Sequence, residues 1–221
     1  MTETNQLLEL FRTYNPDVWP LPIVAYVVGI GALALIAFRP SRGTDRLVAG
    51  LLALVWLWLG VVFQGIYVRD VSPVLGLIGA AVFIGGAVLI ARAGVLRAEL
   101  AFRPAGNLAT AVGVLAIGYA LVIYPLLGVA FGHPYPEAPL FGAAPCPTTI
   151  VMFGLFLFVR PRFPAHLLAL PMVWAILGPL GAVQQGVVED IALFVVGVLA
   201  VAIVLVRNGL RRPMRAATVS S

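Results

Sequence analysis

The sequence predicts an all-α polytopic membrane protein of seven transmembrane helices, with its N-terminus outside the cytoplasm, its C-terminus inside, and a 3+1+3 order of parallel repeats. Three observations carry this expectation: the composition, the spacing of the apolar runs and the charge of the loops between them. Of 221 residues, 62% are hydrophobic and 10% charged, with a mean hydropathy of +1.05, well beyond what a water-soluble core needs. Apolar runs of about 20 residues, the length that crosses the hydrocarbon core, occur at 19–38, 47–68, 71–91, 108–131, 140–159, 165–185 and 187–206.

The fifth run is the weakest. Thr148 to Val159 alone is too short, and spanning length is reached only if Leu140 to Cys146 also lie at membrane depth, with Pro145 and Pro147 breaking the helix. Backbone broken at that depth must be enclosed by protein or face water. Loop charge nevertheless requires this span. Twelve Arg fall on one side: Arg39, Arg42, Arg46, Arg92, Arg97, Arg103, Arg160, Arg162, Arg207, Arg211, Arg212 and Arg215, with only Asp45 and Glu99 among them. The other side has Arg12 and Arg69 with Glu3, Glu9, Asp17, Asp70, Glu137, Glu189 and Asp190. This is a strong positive-inside bias, and omitting the fifth span would scatter the basic clusters across both faces.

The resulting organisation is a periplasmic N-terminal interfacial segment (1–18), a transmembrane domain (19–206) and a cytoplasmic tail (207–221). Leu7, Leu10, Phe11 and Tyr14 share one helical face, which suits a short helix in the outer interface; an exposed polar tail is the alternative. The segment lacks the basic start of a signal peptide, so no cleavage is expected. Trp19, Tyr67 and Tyr135 fall near span ends, at headgroup level.

An internal repeat is suggested by units 19–94 and 140–209 joined by span 108–131. Pro20-Leu-Pro22 and Arg39-Pro40 rhyme with Pro145-Cys-Pro147 and Arg160-Pro161, and Gln64-Gly65 before Arg69-Asp70 rhymes with Gln185-Gly186 before Glu189-Asp190. Three-span units insert in parallel only if one extra span separates them, which is the place of span 108–131. Chance similarity between Leu/Ala/Val/Gly-rich helices is the alternative.

Composition excludes several chemistries. All fourteen basic residues are Arg, so no lysine Schiff base, and hence no retinal, can form. A single cysteine, Cys146, excludes an internal disulfide and any CxxC pair. The Arg residues sit in short loops and serve topology rather than nucleic acid, which is not an expected partner. No Walker loop, HExxH, GxSxG or haem-attachment motif is present, and no cofactor is expected.

Polar or breakable positions within the spans are the candidate site. The densest group is Pro145-Cys146-Pro147-Thr148-Thr149, preceded by Gly132-His133-Pro134-Tyr135-Pro136-Glu137. A helix starting there points its dipole and free N–H groups at a small polar or anionic solute; inert packing of Cys146, with Thr148 and Thr149 capping the helix, is the alternative. His133, Glu137 and Cys146 are a potential three-ligand metal set or a Cys/His catalytic pair, though no third orienting residue is evident. Gln64, Gln184 and Gln185 lie towards outer span ends; Tyr119, Tyr124, Trp56, Trp58 and Trp174 are cavity-lining or packing candidates. Glu189 and Asp190 are either a cation or proton site or a solvated helix start. Pro125, Pro171 and Pro179 mark kinks.

Tyr14-Asn15-Pro16, Val18-Trp19-Pro20, Trp56-Leu-Trp58-Leu-Gly60, Ile123-Tyr124-Pro125, Gly132-His133-Pro134-Tyr135-Pro136, Pro145-Cys146-Pro147-Thr148-Thr149 and Val188-Glu189-Asp190 together resemble the bacterial membrane family called domain of unknown function 6064. The resemblance covers nearly the whole chain. It implies a bacterial inner-membrane protein and supplies no activity. Relatives usually carry Tyr-His where this chain has Phe63-Gln64, so no histidine role carries over at that position. The span order is also similar, by topology alone, to the SWEET sugar transporters. The Pro-Gln pair of the wider PQ-loop group is absent.

These readings favour a small-solute or ion transporter between the two three-span units. A membrane-embedded Cys/His enzyme or metal-handling protein, and a non-catalytic membrane subunit or sensor, are the alternatives. The expected partners are the lipid bilayer, a small polar or anionic solute and, in a homo-oligomer, further copies of the chain.

Overall fold

The computed structural model describes residues 6–210, so Glu3 and the tail residues Arg211, Arg212 and Arg215 lie outside it. The described residues form helices joined by short loops. In chain order these are α1 (Gln6–Asp17), α2 (Leu21–Phe38), α3 (Arg42–Val71), α4 (Pro73–Leu96), α5 (Leu108–Ala130), α6 (Pro145–Phe158), α7 (Ala165–Gln184) and α8 (Val188–Gly209). Six of them, α2 to α5, α7 and α8, are long and apolar enough to cross a membrane. The starts are legible locally. Ser41 and Asn107 accept the N–H groups of Thr44 and Thr110 as N-caps, and Pro73 and Pro145 open α4 and α6, where a missing N–H costs nothing.

The expected fifth span differs most from expectation. It is a helix of 14 residues, all buried, and residues 140–144 before it are not helical. At 1.5 Å per residue it is roughly 21 Å long, shorter than a hydrocarbon core. Pro145 and Pro147 do not interrupt a longer helix; they begin this one. Val159-Arg160-Pro161 ends it. α5 crosses it closely at Gly113 and Gly154, where a Cβ on either would come within 2.7 Å of the other's carbonyl oxygen, so only glycines allow this approach.

Contacts at the two ends of the bundle sort by charge. At one end Asp45 accepts from Phe102 N (3.0 Å) and from both terminal nitrogens of Arg103 (2.7 and 2.8 Å), Arg103 N donates to Phe158 O, Arg160 N to Ala101 O, and Arg207 to Leu157 O. Asp45 holds the Arg103 guanidinium above its ordinary pKa through this hydrogen-bonded pair. At the other end α1 lies across the bundle. Tyr14 and Phe11 are buried against Phe63, Tyr14 also meets Tyr67 and accepts from Trp58 Nε1 (3.0 Å), and Asn15 donates to Pro136 O and Ala138 O. The apolar face of α1 therefore packs on protein. α6 joins these two ends: its last residues meet the Asp45–Arg103 end and its first residues meet the end roofed by α1.

α4 presents a stripe of small residues to α3. A Cβ at Gly86 would overlap the Trp56 ring, and one at Gly79 would overlap the Gln64 side chain. The two expected repeat units sit in unlike surroundings: α2 is mostly exposed, whereas α6, its counterpart, is enclosed on every side.

Candidate functional site

The site lies under α1, where α3, α4, α5, α6, α7 and α8 converge. Two of these helices widen there into π-helical turns, Leu59–Val68 in α3 and Tyr119–Ile123 in α5. Such turns are rare and concentrate at functional positions because they re-aim the side chains they carry. The first holds Gln64 and the second ends just before Tyr124.

Tyr124 donates its hydroxyl to Asp190 Oδ1, and the Cys146 thiol sits beside Asp190 and the Trp174 indole. Tyr124 is 1% exposed, Asp190 2% and Cys146 7%, so all three are removed from solvent. Glu189, the neighbour of Asp190, faces the other way. Its carboxylate lies 3.4 Å from His133 Nε2, both side chains being enclosed, and its carbonyl accepts from Tyr119 OH at 3.0 Å. Glu189 and Asp190 are therefore neither a solvated helix start nor a single acidic pair; each has its own partner from α5 or from the loop after it.

A cavity of about 420 Å³ opens beside this cluster. Its polar lining comprises Gln6, Gln64, Ser72, Gln184, Gln185, Tyr124, Cys146 and Asp190, with Trp174; the rest is mainly apolar and includes Pro145. Gln64 is 1% exposed and its Nε2 has no hydrogen-bond partner, and the Trp174 indole lies against the Cys146 thiol. Gln185 Oε1 accepts from Leu7 N at 2.6 Å and so ties α1 over the cavity. Gly178 opens the space between Trp174 and Cys146: a Cβ there would come within 3.1 Å of Trp174 Nε1 and 3.4 Å of Cys146 Sγ.

Several expected site residues lie elsewhere. Thr148 and Thr149 are fully buried and bonded to local backbone. Thr148 donates to Ala144 O (2.6 Å) and accepts from Gly142 N (2.8 Å), and Thr149 donates to Pro145 O (2.8 Å). These are back-bonds within the first turn rather than caps or cavity groups. Pro147 is buried away from the cavity lining. Because Pro145 and Pro147 carry no N–H, the first turn of α6 offers fewer free donors to an anion than a helix start normally would.

The three-ligand metal set is not assembled. Glu137 is paired with Arg12, accepting from its Nε at 3.0 Å and from its terminal nitrogen, which raises the Arg12 pKa above its ordinary value; His133 is with Glu189, and Cys146 is with Asp190. Among the described residues no three His, Cys, Asp or Glu side chains are grouped to hold a metal ion. The correction follows from the prolines between His133 and Glu137, which aim the two side chains at different partners.

The match to a family model over residues 4–215 decides the classification. The chain belongs to the family of unknown function DUF6064. No curated protein and no solved structure matches it. The DUF6064 match takes in every element of the site, from α1 to α8, so the cavity and its polar cluster lie within the family's own domain.

Proposed function

We propose that this DUF6064 protein is a permease for a small molecule bearing a neutral polar group in the bacterial inner membrane, with seven spans, a periplasmic N-terminus and a cytoplasmic C-terminus. The observation that carries the proposal is the cavity ending at Cys146, Tyr124 and Asp190. It lies between residues of the first three-span unit (Gln64, Leu75) and of the last (Cys146, Leu177), where a transport path between units would run. Gln64 and Gln185, which rhyme in the sequence repeat, both line it. α6 supplies the seventh crossing in this reading, reaching between the two charged ends although it is short, because α5, α7 and α8 pack around it. The Arg-rich end would be cytoplasmic.

The lining favours a neutral solute over an anionic one. Among the described residues no Arg or His lines the cavity, an acidic side chain does, and the unpartnered Gln64 nitrogen calls for an acceptor oxygen. As the chain's one cysteine, Cys146 is a built-in reporter of access. In oriented vesicles a small thiosulfonate reagent is expected to modify Cys146 from either side of the membrane. Modification from one side alone, or from neither side, overturns the permease reading.

A further inference from the structure

We infer that the substrate is a single-chain amphiphile with a neutral, hydroxyl-bearing headgroup, and that it enters sideways from the outer leaflet between α4 and α7. Release to the far side of the membrane rests on the permease reading; binding itself does not.

The geometry begins with the contact between α4 and α7. Deeper in the bundle the two helices touch: the Phe83 and Trp174 rings lie 4.9 Å apart, and a Cβ at Gly85 would come within 3.1 Å of Leu170. Towards α1 both helices line the cavity, α4 through Leu75 and Ile78 and α7 through Leu177 and Leu180. These four are at once cavity-lining and outward-facing; Leu75 and Leu180 are each 61% exposed. A residue that is both marks a side opening, and in a bilayer this one opens on acyl chains rather than on water. In this conformation the water side is covered, since Leu7, Leu10 and Phe11 of α1 form a roof held by the Leu7 N to Gln185 Oε1 bond, which a transport cycle would open.

The two ends of the cavity differ in chemistry. The mouth is mainly aliphatic, formed by Leu75, Ile78, Leu177 and Leu180. The inner end has the unpartnered donor Gln64 Nε2, the Trp174 indole against the Cys146 thiol, and the Asp190 carboxyl in the same lining. A hydroxyl accepts from Gln64 Nε2 and donates to the carboxyl, whereas a phosphate or carboxylate head would meet an acidic side chain and no Arg. A free sugar or amino acid would leave the aliphatic mouth unfilled. The volume of about 420 Å³ suits one chain rather than two.

The test uses the full chain in phosphatidylcholine nanodiscs and a monoacylglycerol with a photoactivatable diazirine in its chain. Labelling is expected to concentrate on 73–79 of α4 and 177–181 of α7 and to be competed by excess monooleoylglycerol. Gly181 lines the cavity and has open space where its Cβ would be, so Gly181→Phe sets a ring into the mouth. Gly181→Phe and Gln64→Leu should each reduce labelling at least tenfold, and Gly31→Phe, equally open but on α2, should not. Equal labelling of lipid-facing positions such as Val27 and Leu115 overturns the inference. So does equal labelling by the matching free fatty acid, or competition by glycerol as strong as by monooleoylglycerol. If the amphiphile binds but Cys146 is reached from one side only, the permease reading fails and the binding site stands.

Discussion

The Tyr124 hydroxyl is bonded to the Asp190 carboxyl, so the middle of the chain and its last helix are joined at the buried end of the cavity. Tyr124 is separated from Asp190 by 66 positions, and both are almost wholly enclosed. The bond holds α8 in register with α5 and presents Asp190 to the space beside Cys146.

Tyr124→Phe should therefore lower stability, because it leaves a buried carboxyl without its donor while keeping the ring packing. Such losses run to about 1–3 kcal/mol, and a chain of this length loses roughly 2–4 °C of melting temperature per kcal/mol. Thermal melts of the purified protein in micelles read this directly. An unchanged melting temperature would show that the bond contributes nothing to the fold.

His133 and Glu189 make a second test, because removing one partner of a buried polar contact differs from replacing both. His133→Leu leaves the buried Glu189 carboxyl without its neighbour, which costs about 1–3 kcal/mol. Glu189→Leu together with His133→Leu removes both partners and should recover most of that loss. In a double-mutant cycle the two substitutions should couple by more than roughly 1 kcal/mol; simple additivity would mean the pair does not function as a unit.

Tyr14 predicts an alkaline instability. Burial on the inner face of α1 pushes its phenol up to about 12, although the Trp58 donor opposes that. The unfolded chain thus loses this proton near pH 10 while the folded chain still keeps it, so the stabilising contribution is complete below about pH 10 and lost as pH rises to about 12. Its full size is about 3 kcal/mol. Tyr14→Phe should melt at a temperature much less sensitive to pH across this window than the parent chain does. Parallel pH profiles for the two proteins would contradict it.

The long helices, the amphipathic α1 and the charge sorting of the loops are readable from the sequence, because each depends on local periodicity or on counting. Cys146, Gln64, Gln185, Tyr124 and Asp190 are individually visible as polar groups in apolar runs. Their pairings are not. Which carboxylate takes Tyr124 and which takes His133 depends on the rotation of α8 against α5, and adjacent residues on a helix start give no local sign of it. The backbone bonds of Thr148 and Thr149 are hidden for the same kind of reason: a hydroxyl in an apolar run looks unsatisfied until the backbone of residues 142–145 is placed against it. Asp45 and Asn15 carry no local mark of their role, although each ties distant loops together from a buried position.

The full enclosure of α6 has a consequence for how the protein is made. A helix of 14 residues with no side turned to lipid has no stable place of its own in a bilayer. Its neighbours α7 and α8 are synthesised after it, so the ribosome releases the helix that carries Cys146 before the walls that will enclose it exist. The order of synthesis thus makes assembly of the site the last act of biogenesis, and the C-terminal third of the chain its condition.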